Sequence, residues 1–400
     1  MSATAQVDGN PRAARAEVGT VYVVGLFQGL ALVAFPAASS VLTGASDYDL
    51  STSQYGLLFV PQVIMAVAGS LLLPEMSRRF GLKRLFLVGI AADVIAMAVL
   101  VASVSEQGET VAFPMLLVAT GFLGLGFGVT LSCLSTFAGG FMPARREVAL
   151  TALNVLLGLG TALSPLLVAL FTDVAEWWYL PLVTGAGLAV LFLVSVAQPL
   201  VAEATGAQHG GRVRIPPVFW LFAAALVAYG VCETMFGNWG TTLVRDGGTP
   251  ATTANYALAA FWAAVTVGRL LISIAPKRLP STAIYLVLPW GIAGTLLLVA
   301  ALADETNGIV IFALAGLACS GFFPMTVGYG ETTFPELVTI AAGWLIAAYQ
   351  LGYGIAAFGA GALEHSISLS VLFAAVAVVA GVMALVATRI VRAERHVAPT

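Results

Sequence analysis

With 400 residues, 60% of them hydrophobic and only 9% charged, this chain is too apolar for a soluble fold, which usually carries about 25% charged residues. Apolar surface on that scale is tolerable where lipid covers it. A net charge of −3 without any basic tract excludes a nucleic-acid partner, and three cysteines (Cys133, Cys232, Cys319) in apolar stretches without ligand spacing exclude a disulfide framework or metal site.

Residues 1–18 read as a polar cytoplasmic tail without the pattern of a cleaved signal peptide. Stretches of the roughly 20 apolar residues that cross a bilayer follow at 19–43, 52–74, 82–103, 111–138, 146–172, 177–200, 217–244, 251–275, 281–303, 307–330, 337–362 and 367–392, numbered here as spans 1 to 12. The longest join, 201–216, falls at mid-chain and reads as a cytoplasmic linker between bundles at 19–200 and 217–392, and 393–400 as a second tail. The expected fold class is an all-α membrane protein with twelve transmembrane helices in two pseudo-symmetric six-helix bundles.

Loop charges set the orientation, because basic residues near span ends favour the cytoplasmic side. With both termini inside, 15 of the 17 basic residues fall there, among them Arg12, Arg15, Arg78, Arg79, Lys83, Arg84, Arg145, Arg146, Arg212, Arg214, Lys277 and Arg278. The opposite loops are acidic (Asp47, Asp49, Glu106, Glu109, Asp173, Glu176, Asp304, Glu305, Glu364), and Arg245 alone breaks the pattern outside. A miscounted span would scramble this alternation. The expected location is the inner (cytoplasmic) membrane.

An internal repeat supports the two halves. Gly69 leads to Arg78-Arg79 as Gly268 leads to Lys277-Arg278, an offset of 199 residues. Ala152-Leu153-Asn154 with Gly158 corresponds to Ala348-Tyr349-Gln350 with Gly354, at 196. In transporters of this plan the substrate sits near the midplane between halves that rock around it.

The segment Gly69-Ser70-Leu71-Leu72 through Arg78-Arg79-Phe80-Gly81-Leu82-Lys83-Arg84 resembles the motif that joins spans 2 and 3 in the major facilitator superfamily. The motif's aspartate position is Arg78 here, and the nearest acid is Glu75. The resemblance implies the superfamily's fold and a cytoplasmic gate at Gly69, Arg78, Arg79, Gly81, Lys83 and Arg84. Within the superfamily, Tyr229-Gly230-Val231-Cys232-Glu233, Asn238-Trp239, Phe261-Trp262, Thr266-Val267-Gly268-Arg269 and Phe322-Phe323-Pro324 are similar to the fucose-permease-like branch, which contains proton-coupled sugar symporters. That branch's first-half carboxylates find no match, since spans 1 and 4 carry no acid. Span 5 lacks the glycine-proline motif of the superfamily's antiporters, which disfavours drug efflux.

Ionisable groups inside a membrane are costly and point to function. Glu233 in span 7 is the candidate for a coupling proton or a substrate hydroxyl, against a structural carboxyl at a helix break that Gly237-Asn238-Trp239-Gly240 would loosen. Arg269 suits an anionic substrate, or reaches the cytoplasmic interface or seals the halves. Asp93 in span 3 carries a structural hydrogen bond or a second proton. Gln28, Gln62, Asn154 and Gln350 bind a polar solute or hold helices together. Asn238, Trp239, Trp262, Trp344 and Tyr353 add amide and aromatic contacts for a ligand, or pack. Glu331 and Glu336 pair with Arg145 or Arg146, or sit in a solvated loop. His209, His365 and His396 are scattered, and the longest loop is about 17 residues, so an enzyme is not expected, nor any cofactor or metal. The reading is a monomeric secondary transporter of a small polar solute, with protons and membrane lipid as its other partners. Efflux of an amphipathic drug or lipid is the alternative, and a membrane enzyme or sensor a remote one.

Overall fold

The computed structural model describes residues 11–142, 146–174, 176–201, 215–274, 281–302, 307–334 and 338–397, the side chains at 11–14, 146–147, 173–174, 331–332, 338–342 and 393–397 excepted. Among the described residues, eleven helical segments are long and apolar enough to cross a bilayer. Span 1 stands outside that set, because it is cut at Val33 and carries Arg15, Glu17 and Gln28. The expected tails are helical in part, since span 1 starts at Pro11 and span 12 runs from Leu369 to Val397. Residues 202–214 of the expected linker lie outside the described residues, as do the side chains of Arg145, Arg146, Lys277, Arg278, Glu331 and Glu336.

Several spans are broken, and proline accounts for three of the breaks. A proline has no N–H for the carbonyl four residues earlier and its ring crowds that carbonyl. Pro36 stands four residues after Leu32, where the helix Pro11–Leu32 ends and short turns Ala34–Ala37 and Ser39–Leu42 follow. Pro61 stands four after Leu57, where Thr52–Leu57 gives way to Phe59–Phe80. Pro324 stands four after Ser320, between Gly308–Cys319 and Phe322–Thr333 in span 10. Span 7 is loosened differently. Phe219–Thr234 passes through a π-turn at Met235–Trp239 before Gly240–Asp246, within the glycine-flanked segment picked out from the sequence.

Helix pairing repeats between the halves. Spans 1 and 5, 2 and 4, and 3 and 6 pack together, as do 7 and 11, 8 and 10, and 9 and 12. The halves meet where span 5 (Arg146–Val174) crosses span 8 (Ala251–Ser273) and where span 2 crosses span 11 (Val338–Leu363). A six-span offset exchanges these two crossings. Closest approach uses glycines in matching places. A Cβ on Gly29 would lie 2.0 Å from the Leu157 carbonyl, and one on Gly160 2.0 Å from that of Leu26. In the second half a Cβ on Gly230 would lie 2.3 Å from the Tyr349 carbonyl, and one on Gly352 2.0 Å from that of Val227. Large apolar side chains such as Ile64, Val190, Val378 and Leu385 point outward, as lipid contact requires.

Replacing Gly160 by leucine should separate spans 1 and 5 and cost about 1–3 kcal/mol or more as overpacking. Thermal unfolding in detergent should show a clear loss, whereas Gly294→Ala, which meets open space, should leave stability unchanged or slightly raised.

Candidate substrate cavity and proton site

The breaks in spans 1 and 7 face each other across the interface between the halves. Around them closes a void of about 30 Å³, lined by Leu32, Val33 and Pro36 of span 1, Gln62 of span 2, Phe127 of span 4, Asn238 of span 7, Trp262 of span 8, and Tyr349, Gln350 and Tyr353 of span 11. That volume holds about two waters, at roughly 10–15 Å³ each. Among the described residues, no charged side chain lines it. Asn238 donates from Nδ2 to the Tyr353 hydroxyl at 2.9 Å. Gln62 Oε1, an acceptor, and Trp262 Nε1, a donor, are buried without a partner. Buried polar atoms are normally paired, so two unpaired atoms of opposite character in one cavity point to a ligand or water that they meet.

Glu233 lies beside this cavity, 3% exposed. Its Oε1 lies 2.7 Å from the Tyr229 hydroxyl oxygen, which is also 2.8 Å from the Cys319 carbonyl, and its Oε2 accepts from the Tyr349 hydroxyl at 2.6 Å. Tyr229 is one helical turn earlier on span 7, while Tyr349 belongs to span 11. Among the described residues no basic group forms an ion pair with Glu233. Arg269 is half-buried and donates from Nε to the Ser320 carbonyl at 3.3 Å. Pro324 leaves that carbonyl without its helical donor, so the guanidinium caps the break in span 10.

Gln62, Asn238, Trp262, Gln350 and Tyr353 are thus brought together at the cavity. Other residues singled out from the sequence sit elsewhere. Gln28 donates to Asp93 Oδ1 at 3.3 Å inside the first half, where both are buried and where a Cβ on Gly126 would fall 2.1 Å from that carboxyl oxygen. Asn154 returns its amide to the Leu150 carbonyl of its own helix at 2.9 Å. Trp239 is buried edge-on against Tyr55, and Trp344 is 40% exposed beside Trp220 on the outer surface.

In the loop between spans 2 and 3, Gly81 adopts φ +84°, a left-handed turn that glycine takes without strain. Gly69 lets span 2 approach Val129 of span 4. Glu75 pairs with Arg78 and, at 2.8 Å, with Arg79. Lys83 donates to the carbonyls of Gln198 and, at 2.9 Å, Val196, tying this loop to the end of span 6.

At the opposite end a polar seam joins the halves. Thr52 donates to Glu364 Oε2 at 2.6 Å, Ser53 to the Gly361 carbonyl at 2.9 Å, and the Ser39 and Thr241 hydroxyls meet at 2.8 Å. Tyr55 adds a bond to the Asn238 carbonyl at 3.3 Å. None of these pairings was singled out from the sequence, because each partner belongs to the other half. Tyr349 was passed over because its partner Glu233 lies 116 residues away on another span of the same half, although it neighbours Gln350; Tyr229, four residues before Glu233, had a visible spacing.

The family model described as Major Facilitator Superfamily matches residues 20–312. No curated protein matches the sequence significantly. Among solved structures, a mutant of the nucleoside transporter NupG matches with a TM-score of 0.74 at 11% identity, over 94% of this chain and 99% of that one. At that identity the likeness is one of fold.

Replacing Glu233 by leucine would leave the Tyr349 hydroxyl buried without that acceptor, at roughly 1–3 kcal/mol, while Tyr229 keeps the Cys319 carbonyl. Thermal unfolding of Glu233→Leu in detergent should show that loss. Glu233→Gln, which keeps an acceptor and gains a donor, should unfold close to the wild type.

Proposed function

We propose that this chain, which belongs to the major facilitator superfamily, carries a small uncharged solute with a flat face and both donors and acceptors, coupled to a proton at Glu233. Transporters of this superfamily are secondary carriers and not enzymes, so a small-molecule substrate is the ligand to be accounted for. The observation that carries the reading is the pair of unpartnered atoms at the cavity, Gln62 Oε1 and Trp262 Nε1, in a lining without charge. An ionic solute would meet no counter-charge there, and desolvating it would be costly. Aromatic faces from Phe127, Trp262, Tyr349 and Tyr353 suit a planar ring, and the amides of Gln62, Asn238 and Gln350 suit hydroxyl or ring-nitrogen groups. A nucleoside has this chemistry, and NupG is a nucleoside transporter, which supports testing that class first.

In this reading the halves 19–200 and 217–392 rock about the cavity. The seam of Thr52, Ser53 and Ser39 with Glu364, Gly361 and Thr241 must part when the cavity opens to that side. The gate loop at Arg78–Arg84 faces the cytoplasm, as the basic residues favour, with both termini inside and the protein acting as a monomer in the cytoplasmic membrane. A protonated Glu233 is neutral and crosses the low-dielectric interior with the solute. Ionised, it resists that passage.

A thermal-shift screen on purified protein should find stabilisation by neutral hydroxylated or heterocyclic solutes, nucleosides and sugars included, and none by organic anions. Gln62→Ala and Trp262→Phe should each remove the shift by about tenfold or more in apparent affinity, the cost of a lost buried hydrogen bond. A screen answered only by anions would reject the reading. With a hit in hand, Glu233→Gln in proteoliposomes should abolish uptake driven by a proton gradient and retain counterflow exchange.

A further inference from the structure

Three short oxygen–oxygen contacts meet around Glu233, and counting their protons gives a result that the proposed coupling does not contain. The Tyr349 hydroxyl is 2.6 Å from Glu233 Oε2. The Tyr229 hydroxyl oxygen is 2.7 Å from Glu233 Oε1 and also 2.8 Å from the Cys319 carbonyl oxygen. Each contact needs a proton between its oxygens, and the two tyrosines supply two. A carbonyl has none to give, so only a third proton, on Glu233, makes all three contacts full hydrogen bonds; without it one Tyr229 proton is shared between two acceptors.

We propose that Tyr229 is the positioning residue that transmits the protonation of Glu233 to the break in span 10. This rests on the reading of Glu233 as the coupling carboxyl. With Glu233 protonated, its Oε1–H donates to the Tyr229 oxygen, and Tyr229 turns its own proton onto the Cys319 carbonyl. With Glu233 ionised, Tyr229 turns that proton onto the carboxylate, and its oxygen then faces the Cys319 carbonyl with no proton between them. Two oxygens at that distance repel, so span 10 is released. One proton enters from water and binds Glu233; Tyr229 keeps its O–H bond throughout and only rotates it.

Cys319 is the last residue of the helix Gly308–Cys319, and the turn at Ser320 and Gly321 follows. Its neighbour's carbonyl, on Ser320, is held by Arg269 whatever the state of Glu233. The break therefore has one fixed hold and one that depends on the proton. The titratable groups facing Glu233 are Tyr229 of span 7, Cys319 of span 10 and Tyr349 of span 11, with Arg269 of span 8 near all three of these and Cys232 near Cys319. Of these, Tyr229 alone bonds to both the carboxyl and span 10.

The test needs no substrate. Hydrogen–deuterium exchange of the segment 317–330 is followed across pH in lipid nanodiscs and corrected for intrinsic exchange. In the wild type, protection should fall about fivefold as pH rises, the factor of one net hydrogen bond. Glu233→Gln, whose amide donates to Tyr229 as the acid does, should stay protected at every pH. Tyr229→Phe should be unprotected at every pH. Tyr349→Phe should keep a pH response, because Tyr349 does not bond to span 10. If Tyr229→Phe keeps the wild-type profile while Glu233→Gln is flat, Glu233 still couples and the role of Tyr229 is overturned. If wild type and Glu233→Gln behave alike, the coupling reading fails with it. Should Tyr229→Phe not fold, Glu233→Gln decides alone, since loss of its protection at any pH contradicts the proposal.

Discussion

Lipid offers no hydrogen bonds, so a carboxyl or an unpaired carbonyl inside a bilayer must find its partner within the protein. Glu233 finds two tyrosine hydroxyls, one from its own helix and one from span 11. The break in span 10 leaves backbone acceptors that Arg269 and Tyr229 fill. These contacts bind spans 7, 8, 10 and 11 into one polar knot beside the cavity. In the proposed reading, the knot ties the charge state of one side chain to the shape of a helix.

The rest of the architecture gives that knot something to move. The proline breaks in spans 1 and 2 and the π-turn in span 7 lie in helices that meet the other half, and the break in span 10 packs behind them against spans 7 and 11. Each break exchanges regular backbone pairing for local adjustability, and π-turns often mark functional positions. Within each half, glycines seat helix on helix at backbone contact, the firm packing that the proposed rocking of two intact halves requires. Between the halves, close apolar and aromatic packing, as of Gly354 on Val63 and Phe59 on Tyr353, is joined at one end by polar bonds such as Thr52 to Glu364, which in the proposed rocking would exchange for water.

Much of this was legible in the sequence, and the rest was hidden for definable reasons. Apolar runs and alternating loop charge revealed the spans, and the repeat offset revealed the halves that the helix pairing displays. Glu233, Gln62, Asn238, Trp262, Gln350 and Tyr353 stood out as polar or aromatic groups in apolar helices, and the fold gathers them. The direction of a side chain was not legible. Gln28 turns to Asp93 and Asn154 to its own backbone, choices that depend on neighbours from other spans. Tyr349 lies 116 residues from Glu233, so no local spacing announces their contact. The breaks were open to a simple rule, the carbonyl four residues before a proline, yet Pro74 and Pro165 sit in unbroken helices. The rule marks sites where a break is cheap, and packing decides which are used.

The central claim is that Glu233 holds a proton in this closed arrangement, bonded to Tyr229 and Tyr349. Infrared difference spectroscopy across pH on protein in nanodiscs measures this directly, through the carbonyl stretch of a protonated carboxyl. The account predicts such a band at acidic pH that disappears as pH rises and is missing from Glu233→Gln. A spectrum without that band at any pH, or with the same band in Glu233→Gln, would contradict it.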